Sequence, residues 1–537
     1  MANRELMSRR GWLGTAPLVA ALMADASATR ANAAVAEPSP DVYKRVGADP
    51  FINCTATVTI NGGSRQLPEV IEAVEQASHY HVNLDQLMEA AGSRISTLLQ
   101  VPWAMISSGA AGALAHAAAA CVAGTDPERM QQLPNLDGLK NEVIIPASSR
   151  NAYDHSVRMV GLKTVEVDSV DELEAKIGPN TALIMILGNR FDKVRVSLDD
   201  VVPVAKKHGV PVLVDAAADY PITPNPYLAA GADLVTYSGG KILRGPQTAG
   251  LLLGREDLVR AAFANSAPHH AFGRPMKVSK EEIVGITAAV EVWVNKRDLE
   301  AEYREWKQWY AHITERVTAV PGVMAEVAEP TRGGPFPTMN ISWDPERIGM
   351  TAGELHDVLL DGDPSIQTHA AGDGHVFRLR PVALKPGEYK LVADRLQEVF
   401  RGAPRPKKRN FAKPKSDLSG RWNVHVKYAL GEARHLLFLE ANGNRVTGTH
   451  VGSLTRGPVE GTIDGDAVRF ASVLPIEGSK LSYQFSGRVR DNRIEGELDL
   501  GEYPNGTWTA VKHNYGGEMP SDPATSGKIA QGKGANV

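Results

Sequence analysis

Val212-Leu213-Val214-Asp215-Ala216-Ala217 and, a short way on, Leu234-Val235-Thr236-Tyr237-Ser238-Gly239-Gly240-Lys241 decide how this chain reads. Each is a short apolar run that ends on a residue able to do chemistry. The first reads as a buried strand closing on an acid. The second reads as the next strand, closing on a serine and a turn loosened by two glycines, with a lysine beyond it. Further apolar runs lie upstream, at 143–146, 164–167 and 182–187, and the run at 212 itself extends over 210–214. Helical patterns at 112–123, 170–176 and 198–208 alternate with them. Strand–helix alternation predicts an α/β fold with a parallel-rich sheet covered by helices. A long amphipathic stretch at 280–320 leads into a small α+β subdomain with strands at 338–343 and 376–379 and a last helix at 388–400.

Those two strand ends set the expected chemistry. A lysine 26 positions beyond an acid, each at the end of a strand, is the pairing that pyridoxal 5'-phosphate requires. The amine forms a Schiff base with the aldehyde, and the carboxylate keeps the pyridine nitrogen protonated, so the ring withdraws electrons from a carbanion at the substrate α-carbon. Upstream, Ser107-Ser108-Gly109-Ala110-Ala111-Gly112 follows an apolar run and opens an alanine-rich helix. Small residues there let a phosphate approach the N–H groups of a helix N-terminus. Ser108, Gly109 and Ala110 are therefore candidates to hold the cofactor phosphate, with Ser238 beside them. A P-loop reading fails, because Ile242 rather than Ser or Thr follows Lys241, and Val235 occupies the first glycine position.

Ser238-Gly239-Gly240-Lys241-Ile242-Leu243-Arg244-Gly245-Pro246-Gln247 closely resembles the lysine segment of the selenocysteine synthase-like family of fold type I pyridoxal phosphate enzymes, which includes the D-glucosaminate-6-phosphate ammonia-lyases. Ile60-Asn61-Gly62-Gly63-Ser64-Arg65 resembles the family's amino-terminal loop, Ser108-Gly109-Ala110-Ala111 its phosphate turn, and Leu384-Lys385-Pro386-Gly387-Glu388 its closing motif. The resemblance covers roughly residues 45–400. It implies that Lys241 is the Schiff-base lysine and Asp215 the partner of the ring nitrogen. It also implies that an arginine of the small subdomain holds the substrate carboxylate. Arg378 and Arg380 are the candidates, with Arg380 favoured for its place before Pro381, and an ordinary ion pair is the alternative role for either. Arg244 is a further candidate for facing substrate or cofactor. The ring needs a stacking partner, expected within Arg150-Asn151-Ala152-Tyr153-Asp154-His155, where Tyr153 and His155 are the candidates. One segment departs from the family. Asn53-Cys54-Thr55-Ala56-Thr57 stands where relatives tend to have a glycine-containing Asn-x-x-Gly-Thr, which suggests a changed pocket.

Composition bounds the rest. The chain has 537 residues, 43% hydrophobic and 22% charged, which are globular proportions. Lys+Arg 58 against Asp+Glu 62 leaves a net charge of −4, which argues against a nucleic-acid partner. Cys54 and Cys121 are too few for a disulfide framework. His79, His81, His269 and His270 have no acid or cysteine beside them in sequence, so no metal site is expected. At the amino terminus Arg4, Arg9 and Arg10 precede an apolar stretch of about a dozen residues, too short to span a bilayer. Ala31-Asn32-Ala33 then offers a cleavage site. Ser8-Arg9-Arg10-Gly11-Trp12-Leu13 resembles a twin-arginine export signal, which implies a periplasmic or secreted protein.

Residues 1–33 are thus expected as a signal peptide, 34–310 as an amino-terminal arm and large domain, and 311–400 as the small subdomain. Residues 401–416, with Arg401, Arg405, Lys407, Lys408, Arg409, Lys413 and Lys415, read as a basic linker. From 417 to 513 the pattern alternates with period two between the turn signals Asn442-Gly443, Asp464-Gly465 and Asp491-Asn492, suiting an all-β lipocalin-like barrel of about eight strands. Residues 514–537 read as a disordered tail. Together these features imply an exported enzyme acting at the α-carbon of an unphosphorylated amino acid, by β-elimination of the ammonia-lyase type, with no membrane span. Racemisation, transamination and a catalytically idle ligand-binding protein are the alternatives. The resemblance implies a homodimer or a larger even assembly.

Overall fold

The computed structural model describes residues 41–188, 194–331, 334–370, 376–403 and 411–514. The expected export signal, residues 404–410 of the linker and the tail beyond 514 lie outside the described residues.

Among the described residues, seven strands form the central sheet: β1 Trp103–Ser108, β2 Glu142–Pro146, β3 Lys163–Val167, β4 Thr181–Leu187, β5 Val212–Asp215, β6 Leu234–Ser238 and β7 Ala249–Gly254. Their order is β3-β2-β4-β5-β6-β7-β1. Strands β2 to β6 are parallel, and β7 runs against both of its neighbours. It follows that β1 points the same way as β5 and β6. The carboxyl ends of β1, β5 and β6, occupied by Ser108, Asp215 and Ser238, therefore share one edge of the sheet. Strand β4 is buried almost throughout and reads as an unbroken apolar run. A parallel strand covered on both faces has no solvent side toward which polar residues could alternate. Helix α1, Gly109–Ala123, packs on this sheet and is buried along nearly its whole length. Only small side chains let a helix approach so closely on every side, which explains its alanine content.

The amphipathic stretch at 280–320 is two helices, α2 Lys280–Asn295 and α3 Leu299–Thr318. Ser279 and Glu282 form a capping box on the first, and Asp298 starts the second by accepting the N–H of Ala301 at 2.9 Å. Strands β8 Val323–Ala328, β9 Thr338–Trp343, β10 His369–Ala370 and β11 Val376–Leu379 then make an antiparallel sheet in the order β10-β11-β9-β8, with α4 Glu388–Gly402 packed on α3. Ile52–Asn53 pairs in parallel with Ile366–Gln367 and ties the amino-terminal segment to this subdomain. Ile242, next to the lysine, is buried in the same apolar cluster as Cys54, Ala56, Tyr310 and Leu379. The two domains therefore meet at the lysine turn.

Strands β12 Gly420–Lys427, β13 Glu432–Asn442, β14 Arg445–Val451, β15 Arg456–Asp464, β16 Ala467–Ile476, β17 Ser479–Arg490, β18 Arg493–Leu500 and β19 Tyr503–Lys512 form a closed antiparallel barrel. Each strand pairs with the next, and β19 returns to β12. Trp422, Trp508 and Phe485 fill its interior. Leu418 covers one end, where its carbonyl accepts the Trp422 indole N–H at 2.8 Å. The turns β12–β13, β14–β15, β16–β17 and β18–β19 all lie at the other mouth.

Candidate active site

Asp215 ends β5 with 3% of its surface exposed, and its carboxylate accepts the Ala217 N–H at 3.1 Å. Burial raises its carboxyl, an effect opposed by that hydrogen bond and by the nearby Lys241. Lys241 shows the complementary behaviour. Burial lowers its ammonium, and Asp215 opposes the shift. Two partly compensated charges of opposite sign thus lie within electrostatic reach of each other at adjacent strand ends, the arrangement expected of groups awaiting a third partner.

The lysine turn is held from several sides. Gly240 lies so close to Gln247 that a Cβ would come within 2.4 Å of its Cα, so only glycine fits. The Gly240 carbonyl accepts the Ser64 N–H at 3.0 Å, and the Gln247 amide donates to the Thr59 carbonyl at 2.9 Å. The amino-terminal Gly-Gly-Ser loop is thus fastened directly to the lysine turn. Arg297, from the break between α2 and α3, donates to the Ile242 carbonyl and pairs with Glu302 at 2.7 Å. Arg297 has no signature in sequence, because only the helix break brings it here.

At the start of α1, Ser108 is the capping residue, yet its side chain makes no capping hydrogen bond. Gly109 has φ of +72°, and Gly250 on β7 lies flush against it, with room for no Cβ. Ala110 is buried. The helix therefore presents backbone N–H groups from a surface of minimal side chains. The Ser64 hydroxyl, beside the lysine turn, is buried with no hydrogen-bond partner among the described residues. A positive helix end, an unsatisfied hydroxyl and a lysine facing a buried carboxylate together fit pyridoxal phosphate. Ser108, Gly109 and Ala110 would take the phosphate, Asp215 the ring nitrogen and Lys241 the aldehyde. Ser238 is half-buried at the end of β6, on the same edge.

Arg380 is half-buried, and its backbone N–H donates to the Cys54 carbonyl at 2.9 Å. Burial lowers its basicity, an effect opposed by the Tyr310 phenol and reinforced by the charge of Arg378. Arg378 is exposed on the same side of the chain. His369 completes the cluster, with Nε2 3.2 Å from the Thr55 carbonyl. Burial, then the charge of Arg380, lowers the His369 imidazole. Arg378 and Arg380 place positive charge here, as a substrate carboxylate would need. Arg244 donates through Nε to the Arg65 carbonyl at 3.0 Å, and its backbone has φ of +54°. Ala56, in the segment read above as departing from the family pattern, adopts φ of +68°, a region that favours glycine, and is buried.

The 150–155 segment follows β2 and reaches the same edge. Tyr153 and His155 are exposed, whereas Asp154 between them is buried and pairs with Arg150 at 2.5 Å. Asp154 is close enough to raise the Asp215 carboxyl further. Beneath Asp215 lies a second buried network. The Tyr227 hydroxyl lies 2.8 Å from the Gly188 carbonyl and 2.5 Å from Asp219, and the Asn225 amide donates to the Tyr237 hydroxyl at 2.9 Å. Asp219 falls four residues beyond Asp215, a spacing that could have flagged it.

Cys54 and Cys121 are free thiols. His269 sits 3.1 Å from Asp85, brought together from distant parts of the chain. Among the described residues no group of three or more potential ligands gathers for a metal, and no helix is long and apolar enough to cross a membrane.

The class-V aminotransferase family matches residues 69–333. The 5'-C-glycyluridine monooxygenase-decarboxylase of a Streptomyces species is 33% identical over 373 residues, covering 67% of this chain and 92% of that protein. The D-glucosaminate-6-phosphate ammonia lyase of Salmonella typhimurium is 28% identical, covering 67% and 98%. A solved structure of a D-glucosaminate-6-phosphate ammonia-lyase superimposes with a TM-score of 0.61, covering 68% of this chain and all of that one. The L-seryl-tRNA(Sec) selenium transferase of Moorella thermoacetica is 28% identical over 282 residues, covering 46% and 58%.

Proposed function

The chain belongs to the selenocysteine synthase-like family of fold type I pyridoxal phosphate enzymes, and from that premise we propose that it acts at the α-carbon of an unphosphorylated amino acid by β-elimination of the ammonia-lyase type. The observation that carries this reading is the Lys241–Asp215 pair at adjacent strand ends, on the sheet edge from which α1 also starts.

Bound pyridoxal phosphate supplies an electron sink for a carbanion at the substrate α-carbon. Asp215 would hold a proton on the ring nitrogen, and its burial makes that ion pair strong. Lys241, with its basicity lowered by burial, is suited to take the α-proton once its amine is free. Arg380 would orient the substrate carboxylate. Loss of a β-substituent, followed by addition of water to the resulting enamine, gives a keto acid and ammonia. Racemisation would need a proton returned on the opposite face, and transamination one delivered to the cofactor carbon. The near-neutral charge supports a small substrate over a charged tRNA. The amino-terminal arginine motif supports export, and the family resemblance supports a homodimer, for which sedimentation of the purified protein is the check.

The 33% identity to a monooxygenase-decarboxylase favours a second reading, in which the α-carbon is oxidised by dioxygen with loss of its carboxyl group. One experiment separates these readings. The cofactor-loaded protein is incubated with amino-acid pools while ammonia, keto acid, chirality, carbon dioxide and oxygen uptake are followed. Ammonia and keto acid without oxygen uptake support the elimination. Oxygen uptake with carbon dioxide supports the second reading. Lys241→Ala should abolish both the chemistry and the visible absorbance band of the lysine–cofactor adduct. A wild-type protein that shows no such band with added cofactor would overturn the proposal.

A further inference from the structure

The turn between β16 and β17 leaves the barrel mouth and touches the catalytic domain at one point. Gly478 lies backbone to backbone against Asn151, where an added Cβ would come within 1.8 Å of the Asn151 carbonyl oxygen and 2.4 Å of its carbon. Glu477, with φ of +50°, turns its carboxylate to within 2.7 Å of an Arg150 terminal nitrogen. A non-glycine residue in that backbone region is held there at a cost that its contacts must offset.

Arg150 is the hub of this contact. Its three guanidinium nitrogens each meet a different carboxylate: Nε meets Asp154 at 2.5 Å, one terminal nitrogen meets Glu166 at 2.8 Å, and the other meets Glu477. The Arg150 side chain is only 13% exposed and that of Asp154 is fully buried. A buried guanidinium with its whole fork occupied has one permitted orientation. The Asn151 N–H also reaches toward Asp154, at 3.3 Å, and the Tyr153 N–H donates to the Asn151 side chain at 2.7 Å. Thus the barrel turn, Arg150, Asp154 and the segment carrying Tyr153 and His155 form one continuous set of contacts.

We propose that the barrel braces the active site in cis, with Glu477 and Gly478 as positioning residues that hold the 150–155 segment, and with it Asp154, in place beside Asp215. This rests on the cofactor reading above for its consequence, but the brace itself can be measured without cofactor. Amide hydrogen exchange of the full chain, cofactor-free, is compared for wild type, Glu477→Gln and Gly478→Ala, with Leu430→Ala on another turn of the same mouth as control. Both brace variants should raise exchange across 150–158 by about five- to tenfold while the control leaves it unchanged. Cofactor affinity, followed by the visible circular dichroism of the bound ring, should weaken in the same order. If Gly478→Ala does not fold, Glu477→Gln carries the test alone. Exchange across 150–158 unchanged in a folded brace variant overturns the proposal. A missing cofactor band in wild type would overturn the functional reading and leave the exchange result standing.

Discussion

At Lys241 burial and charge pull in opposite directions. The burial that lowers its ammonium also brings it near the carboxylate that favours it. Burying both groups without a cofactor opposes folding, since neither charge is fully compensated. Arg380 is a half-buried cation whose basicity burial and the neighbouring Arg378 lower and the Tyr310 phenol partly restores. A charge-assisted hydrogen bond to a substrate carboxylate is worth about 1.5–3 kcal/mol. Arg380→Gln should therefore raise KM for the substrate about ten- to a hundredfold, with cofactor affinity unchanged. If Arg378→Gln does this instead, the carboxylate role passes to Arg378. The positions of Lys241 and Asp215 were legible because strand ends are visible as apolar runs stopping on a reactive residue. The 150–155 segment was legible as a segment only. Tyr153 and His155 stood out by chemistry, yet Asp154 is the side chain buried there, because Arg150 compensates its charge.

Among the elements, α1 carries the proposed phosphate turn at one end and packs against the sheet along its length. His116 on this helix is fully buried, and burial pushes its imidazole down from 6.5 to about 4, only partly opposed by the Gly273 backbone. The ring is therefore neutral in the folded protein. Its contribution to stability is fully present above pH 6.5 and is lost as the pH falls toward 4, because the unfolded chain takes up a proton that the folded chain refuses. The shift corresponds to about 3 kcal/mol. Denaturant unfolding of the wild type should weaken more steeply from pH 6.5 to 4 than that of His116→Leu, and parallel slopes would rule the effect out. The helix itself was readable from its alanines and its Ser-Gly start. Strand β7 was not read as a strand, because Ala-Gly-Leu-Leu-Leu-Gly carries no β-branched residue and no alternation. The stretch at 280–320 hid its break because Asp298, a capping residue, reads in sequence as one more charge on an amphipathic face.

The whole molecule combines a two-part catalytic unit with a closed barrel, and the described contact between them that bears on the site passes through Arg150. The barrel interior holds a buried histidine pair. His435 and His450 lie 2.9 Å apart, and burial lowers both, His450 to about 3, with His435 adding to that shift. At this scale export is the remaining prediction. Replacing Arg9 and Arg10 together by lysine should retain the full-length protein in the cytoplasm, read by cell fractionation and by the mass of the amino terminus. A variant exported and cleaved like the wild type would overturn the twin-arginine reading.

The sequence by itself determined the cofactor, the sheet class and the barrel, because each leaves a local trace: a reactive residue at a strand end, an apolar period, or a turn dipeptide. Only the tertiary structure decided which charges stay uncompensated and which are paired. Arg150 finds Glu477 across 327 positions, and Thr55 meets His369 across 314. Local propensities do not encode such meetings. They arise when packed cores bring distant segments together and burial makes every unmatched charge costly.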